Sequence, residues 1–348
     1  MRLRLSERLV PPTVVAVSVF GAFVLVVVAG GFDLGTAITA LWRGSIGSPY
    51  ALLSITLVRA TPLIVVGLAV TVAFRAGILN IGADGQLLAG ASAAVAVGLA
   101  GAAWPAAVLL PVELLAGITA GAAWAGIAAL LKRNFGVLEV ISTLMLNFIA
   151  VQGVSFLVRG PLQEPTRVYP QTSMLSVSAR LPVLMPGHRL HLGLVIAVGL
   201  ALSLRWILSA TATGFRVRVV GANPSAAAAG GRVNVRRVVF RVFLASGALA
   251  GLGGATITTG QTFGLFENVS SGLGYTAIAV ALLARLDPVG VVGTGLFFGA
   301  LEAGAAAMQR DAGVPSVFVS ILEALVVLGV LAVDYSRGTA AAAPKHFE

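Results

Sequence analysis

Cysteine is absent from the chain. Disulfides, thiolate metal sites and cysteine nucleophiles are therefore excluded, and nothing reports a redox compartment. Lysine is nearly absent as well: Lys132 and Lys345 follow Leu131 and Pro344, so no Gly-Lys-Ser/Thr phosphate loop exists. With neither an HExxH helix nor a GxSxG elbow, two common hydrolase sites are missing too. Charge is scarce, at 10% of residues against about 25% in an ordinary soluble domain. No polar stretch is long enough to form an appended soluble domain. His188 and His191 lie three apart without a third ligand and read as solvated loop histidines, so no metal and no cofactor is expected.

What fills the chain is hydrocarbon: 58% hydrophobic residues and a mean hydropathy of +0.98. Apolar runs of about 20 residues, the length needed to cross a bilayer, occur near 12–30, 50–74, 80–101, 106–131, 138–158, 190–209, 238–260, 273–285, 289–308 and 315–333. The expected fold is all-α, a polytopic transmembrane helix bundle of about ten spans, forming a single transmembrane domain over 1–348 with a cytoplasmic loop near 210–237. The eighth run is short, and Arg59 with Pro62 predicts a break in the second. The first run follows Arg2, Arg4 and Arg8 and is longer than a signal peptide's apolar core, so it reads as a retained helix.

The net charge of +10 sits between the apolar runs. Positive-inside sorting accounts for it without a nucleic acid partner. Seven arginines and no acid lie between Arg205 and Arg241, which marks that segment as cytoplasmic. Alternation from a cytoplasmic N-terminus puts Arg75, Lys132 with Arg133, Arg285 and Arg337 on the same side, and places 160–189 outside. Both termini are then cytoplasmic in a multi-pass protein of the cell (inner) membrane. Small-residue pairs at Gly117/Gly121, Gly247/Gly251 and Gly295/Gly299 predict close helix packing.

Polar residues inside apolar spans carry an insertion penalty and often face a cavity or a partner. Asn80, Asp84 and Gln86 cluster at the start of the third span, and Glu113, Asn147, Gln152, Glu302 and Glu323 lie within others. Each can also glue helices by hydrogen bonding. Glu139 reads as an interfacial carboxylate at a helix N-terminus. Asn223-Pro224 is an N-cap followed by proline at the first helical position, and Gly230-Gly231 ends the short helix so begun.

The stretch from Phe74 to Ala91, with Asn-Ile-Gly-Ala-Asp-Gly-Gln at 80–86, resembles the signature of ABC-importer permeases of the nucleoside and simple-sugar type, relatives of ribose and branched-chain amino-acid permeases. Glu139–Asn147, Val220–Ala227, Tyr275–Leu283 and Ala305–Gln309 extend the resemblance over most of the chain. It departs at Ser225, where an acid is usual. The resemblance implies an ATP-driven importer subunit that is not itself an enzyme. Its implied partners are a separate ABC ATPase, a second related permease and an external substrate-binding lipoprotein, in contact with membrane lipid. Asn80, Asp84, Gln86, Asn147 and Gln309 are then expected along the substrate path, and Gly221, Asn223, Pro224, Ala226 and Ala227 at the ATPase-coupling element. The segment 80–86 and Gln309 look closer to the nucleoside branch than to the ribose branch. Two rival readings are an ion-coupled secondary transporter using Asp84, Glu113 or Glu302 without an ATPase, and a membrane scaffold that transports nothing.

Overall fold

The computed structural model describes residues 21, 23–25, 27–230, 233–315, 317–318, 321, 324–325 and 328–329. Most of the first and tenth apolar runs, Glu323, Arg232, Arg337 and the N-terminal arginines lie outside the described residues. The chain divides into two compact units, Met1–Ala51 with Ala300–Glu348, and Leu52–Gly299.

In the first unit, α1 (Leu34–Ser45) starts at Asp33, whose carboxylate accepts from the Thr36 amide at 2.6 Å. That cap satisfies an otherwise orphaned helix N–H, and hydrogen bonding from Thr36 holds the Asp33 carboxyl below its ordinary range. Ala37 and Ala40 pack with Val27, Met308 and Val314.

The second unit is a helix bundle: α2 (Leu57–Arg75), α3 (Ala83–Ala100), α4 (Ala106–Phe135), α5 (Glu139–Arg159), α6 (Gly193–Ala210), α7 (Ala212–Ala222), α8 (Pro224–Ala229), α9 (Val235–Ile257) and α10 (Leu273–Leu283). The last helix, α11 (Pro288–Asp311), runs through both units. Seven helices among the described residues are long and apolar enough to cross a membrane, while α10 is an 11-residue apolar helix. At 1.5 Å per residue α10 is about 16 Å long, half the hydrocarbon core.

The second apolar run does not break at Pro62. α2 continues through it, and the irregularity lies upstream, in a π turn over Ala51–Thr56. Proline at 62 has no N–H for the Val58 carbonyl four residues back. That carbonyl instead accepts from Gln261 Nε2 at 2.5 Å. Gln261 belongs to a second π turn, Thr258–Thr262, which extends α9.

The core is set by helix backbones that touch. A Cβ on Gly121 of α4 would lie 2.6 Å from the Gly251 Cα of α9, and one on Gly251 would lie 2.8 Å from the Gly121 Cα. Gly117 faces Ala255, Gly247 faces Ala125, and Gly90 of α3 also meets Gly251. Gly295 of α11 packs on Ile64 and Gly299 on Ala60, as their spacing predicted. Around this centre the outer faces stay apolar: Met145, Phe148 and Phe156 of α5 are exposed, which suits lipid.

Replacing Gly251 by Leu is expected to destabilise the bundle by about 1–3 kcal/mol or more, because the atoms in the way are backbone and cannot rotate aside. Gly199 has nothing within 4 Å of its Cβ position, so Gly199→Leu is the control. Thermal unfolding of the two variants in detergent, with a clear loss for Gly251→Leu alone, is the check.

Candidate functional site

Asn80 lies in the turn between α2 and α3, fully buried. Its side chain and that of Gln86 form a reciprocal amide pair, Asn80 Nδ2 donating to Gln86 Oε1 at 3.1 Å and Gln86 Nε2 to Asn80 Oδ1 at 3.0 Å. Asn80 Nδ2 also donates to Ser246 Oγ of α9 at 3.0 Å, and Ser246 donates on to the Ala69 carbonyl of α2. Asn147 of α5 accepts from the Gly85 amide at 2.8 Å and donates to the Ile81 carbonyl and the Tyr275 hydroxyl. Asp84 accepts from the Gly274 amide at 3.0 Å and from Ser270 Oγ at 3.2 Å.

Four of the five residues expected on the substrate path thus come together in one hydrogen-bonded knot joining α2, α3, α5, α9 and α10. A buried polar group keeps its cost low only when paired, and these are paired. Their polar atoms face one another, so the knot holds the 76–86 segment in register. Gln309 is exposed and belongs to the other unit. Glu113 is fully buried, and neither carboxylate oxygen has a hydrogen-bond partner among the described residues. Glu302 is half-buried. Glu139 sits at the first turn of α5 and pairs with Lys132 at 2.8 Å, as an N-terminal carboxylate should.

The segment expected to couple to an ATPase folds as the short capped helix its sequence predicts. Asn223 Oδ1 accepts from the Ala226 amide at 3.0 Å, Pro224 opens α8, and the helix ends at Gly230. Ala227 is buried while Pro224, Ser225, Ala226, Ala228 and Ala229 are exposed, so α8 presents a face of small apolar groups. Just before it, Gly221 lies directly on the Arg75 carbonyl, and a Cβ on Gly77 would lie 3.4 Å from the Gly221 Cα. Any side chain at 221 would strike that backbone. The chain just before α8 therefore touches, without an intervening side chain, the turn that leads into the Asn80 knot. This contact was invisible in the sequence, although Gly221 itself was singled out.

At the other end of the bundle, residues 160–192 fold over the end of α9. Backbone bonds run from Leu175 N to Phe263 O at 2.8 Å and from Leu181 N to Thr259 O at 2.9 Å. Arg159 grips Glu267 with both carboxylate oxygens at 2.7 and 2.9 Å. Together with Ser155 it holds the Glu267 carboxyl down to about 2, so the pair stays charged at neutral pH. His191 is not solvated, contrary to expectation: it is 1% exposed. An antiparallel bridge between Val183 and His191 folds the loop back and carries the imidazole inward. A cavity of about 590 Å³ opens there, lined by Leu110, Arg180, Arg189, His191, Gly260 and Phe263 among others. Neither this cavity nor a second of about 420 Å³ beside Trp124 is lined by the knot residues.

The family described as branched-chain amino acid transport system / permease component matches residues 52–331. The chain is 40% identical to the glucose ABC transporter permease protein TsgB13 of Haloferax volcanii, over 81% of its own length and 76% of that relative. It is 37% identical to the guanosine ABC transporter permease protein NupP of Bacillus subtilis, over 94% of both chains. To NupQ, a second guanosine ABC transporter permease protein of the same bacterium, it is 30% identical over 70% of its length and 78% of that relative. No solved structure gives a significant match. These matches set aside the ion-coupled and scaffold readings and place ATP hydrolysis in a separate subunit. With the family model covering most of the chain, the chain belongs to the permease components of ABC transporters of the branched-chain amino acid transport type.

Proposed function

We propose that the chain is one of two related permease subunits of an ATP-driven nucleoside importer in the cell (inner) membrane. An external binding lipoprotein delivers the substrate, and a cytoplasmic ATPase docks on α7 and α8. The observation that carries the coupling role is the contact of Gly221 with the backbone at Arg75 and Gly77. Movement imposed on α8 passes through it to the 76–86 turn and the knot of Asn80, Asp84, Gln86 and Asn147. These four residues support the path by positioning its walls, while Gln309 belongs to the other compact unit. Two permeases are favoured because NupP and NupQ, both similar to this chain, carry the same substrate in their names and come from one bacterium.

The orientation draws support from which segments touch. Arg75 donates to the Leu286 carbonyl, Arg205 pairs with Asp287, and Gly221 meets Arg75. Charge alternation assigns all of these to the cytoplasm. Arg159 with Glu267, and Gln171 with Phe266, join segments that alternation assigns to the outside. A simple sugar is the second reading, favoured by the similarity to the glucose permease TsgB13.

Single cysteines introduced into this cysteine-free chain are expected to react with an impermeant thiol reagent at Tyr169→Cys but not at Ser225→Cys in intact cells. Labelling of Ser225→Cys from outside would reverse the orientation.

Because Ala226 is exposed, Ala226→Arg is expected to leave insertion intact while abolishing both transport and the stimulation of ATP hydrolysis. Pro224→Gly, which loosens the first turn of α8, acts in the same direction. Normal transport by the double variant would remove α8 from the coupling path.

Uptake by the complex reconstituted with its own binding protein is expected for labelled nucleosides and to depend on ATP. A site built to bond hydroxyls rejects analogues lacking them strongly, so ribose-deoxy analogues should compete poorly. Glucose uptake without nucleoside uptake would transfer the assignment to the sugar reading.

A further inference from the structure

Where α4 ends and α9 begins, the surface is basic. The two helices run antiparallel: Gly117 of α4 meets Ala255 of α9, Gly121 meets Gly251, and a Cβ on Gly126 would lie 3.2 Å from Leu244. At the end of that seam the Arg133 guanidinium carbon lies 5.9 Å from the centroid of the Phe240 ring. Arg236 and Arg237 precede Phe240 by four and three residues, the spacing that brings side chains onto one face of a helix. Arg241 follows Arg237 by one turn. All four arginines are exposed, and among the described residues no carboxylate pairs with any of them. Glu139, at the start of α5, is held by Lys132 at 2.8 Å.

Helix length sets the depth of this end. α4 has 30 residues, about 45 Å at 1.5 Å each, and α9 with its π turn has 28, about 42 Å. Both match a bilayer with its headgroup layers included, about 40–45 Å. Helices of that length put their first and last turns among the headgroups. Arg133 stands in the last turn of α4, and Arg236 and Arg237 stand in the first turn of α9. Two and five residues after Arg133, Phe135 and Leu138 are 77% and 64% exposed.

A guanidinium is planar and always charged, and its paired N–H groups fit two oxygens of one phosphate. Stacking on Phe240 holds one such group against α9, so a phosphate bound there bridges the two helix ends. A soluble anion leaves Phe135 and Leu138 in water. A phospholipid covers them with its acyl chains while its phosphate meets the arginines, so the patch fits a lipid better than a free phosphate. Four positive charges without a carboxylate partner also favour a headgroup of net negative charge. Phosphatidylcholine brings an ammonium group of its own to the same surface, which the arginines repel.

We propose that Arg133, Arg236, Arg237 and Arg241, grouped around Phe240, form a binding site for the phosphate of an anionic phospholipid, which ties the end of α4 to the start of α9. α9 follows α8 after a short connection. The lipid therefore anchors the spanning helix next in line to the helix proposed to dock the ATPase. The site is independent of which substrate is carried.

The test uses the complete complex, ATPase included, in phosphatidylcholine nanodiscs with a trace of phosphatidylglycerol bearing a photoreactive group near its headgroup. Label on this chain is expected within 132–141 and 235–244, at about tenfold the level given by a phosphatidylcholine with the same photoreactive group. Arg133→Gln with Arg236→Gln is expected to cut that preference to below about threefold. Arg43→Gln with Arg167→Gln removes the same charge at other exposed arginines and is expected to leave it unchanged. Equal labelling by the two lipids, label confined to other segments, or a preference that survives the first double variant or falls equally in the second overturns the site. Loss of label on adding millimolar inorganic phosphate would assign the patch to a soluble anion. Label that appears only once the ATPase is stripped away would assign it to that subunit; either result overturns the lipid site. Should Arg133→Gln with Arg236→Gln fail to insert, Phe240→Leu takes its place, since it keeps an apolar side chain and frees Arg133: a lowered preference supports the site and an unchanged one overturns it.

Discussion

Backbone contact between helices is the constraint on which the rest of the structure depends. In lipid, apolar side chains gain little by turning from solvent to a neighbouring helix, so association has to come from close packing and hydrogen bonds. The glycines of α3, α4 and α9 bring main chains together around Gly251. Once those three helices are fixed, Ser246 on α9 is in reach of both Asn80 and the Ala69 carbonyl, and the amide knot can close. The knot is therefore a consequence of the glycine packing. Its polar atoms satisfy one another only because the backbones above them are already close.

Much of this was legible in the sequence. Apolar run length located the spanning helices, four-residue glycine spacing identified the packing faces, and the Asn-Pro start and Gly230 gave α8 its ends. Local chemistry decides these features, so a local reading recovers them. The clustering of Asn80, Asp84 and Gln86 was legible for the same reason, being three residues within a seven-residue stretch. Their partners Ser246, Ser270 and Tyr275 lie far along the sequence and were not singled out. Serine and tyrosine are common at helix surfaces, and only the fold turns these three into knot members.

Two expectations failed for instructive reasons. Pro62 predicted a break because the usual consequence of a missing N–H is an unmet carbonyl. Here a side chain from a distant π turn meets it, and the helix continues. His191 looked solvated because it stands beside a loop rich in arginines, at the very start of the apolar run near 190–209. A loop can be folded inward by its own backbone pairing, and such pairing leaves no periodic signature in a segment of mixed composition.

The bond from Gln261 to the Val58 carbonyl has a mechanical reading. α2 and α9 are each irregular at the end away from Gly221, with π turns that hold one residue more per turn than the rest of the helix. A π turn can pass its surplus residue along the helix, which lets one end rotate while the remainder stays packed. Joining two such ends by a side-chain bond pins them together: with the bond made, the two surpluses are held in phase, and with it broken each helix end is freer to rewind. At the opposite end the contact of Gly221 with Arg75 has no rotamer to absorb displacement. The bundle thus has a stiff contact at one end and compliance at the other, and on the coupling role proposed above a short push at the first face would become an opening at the second.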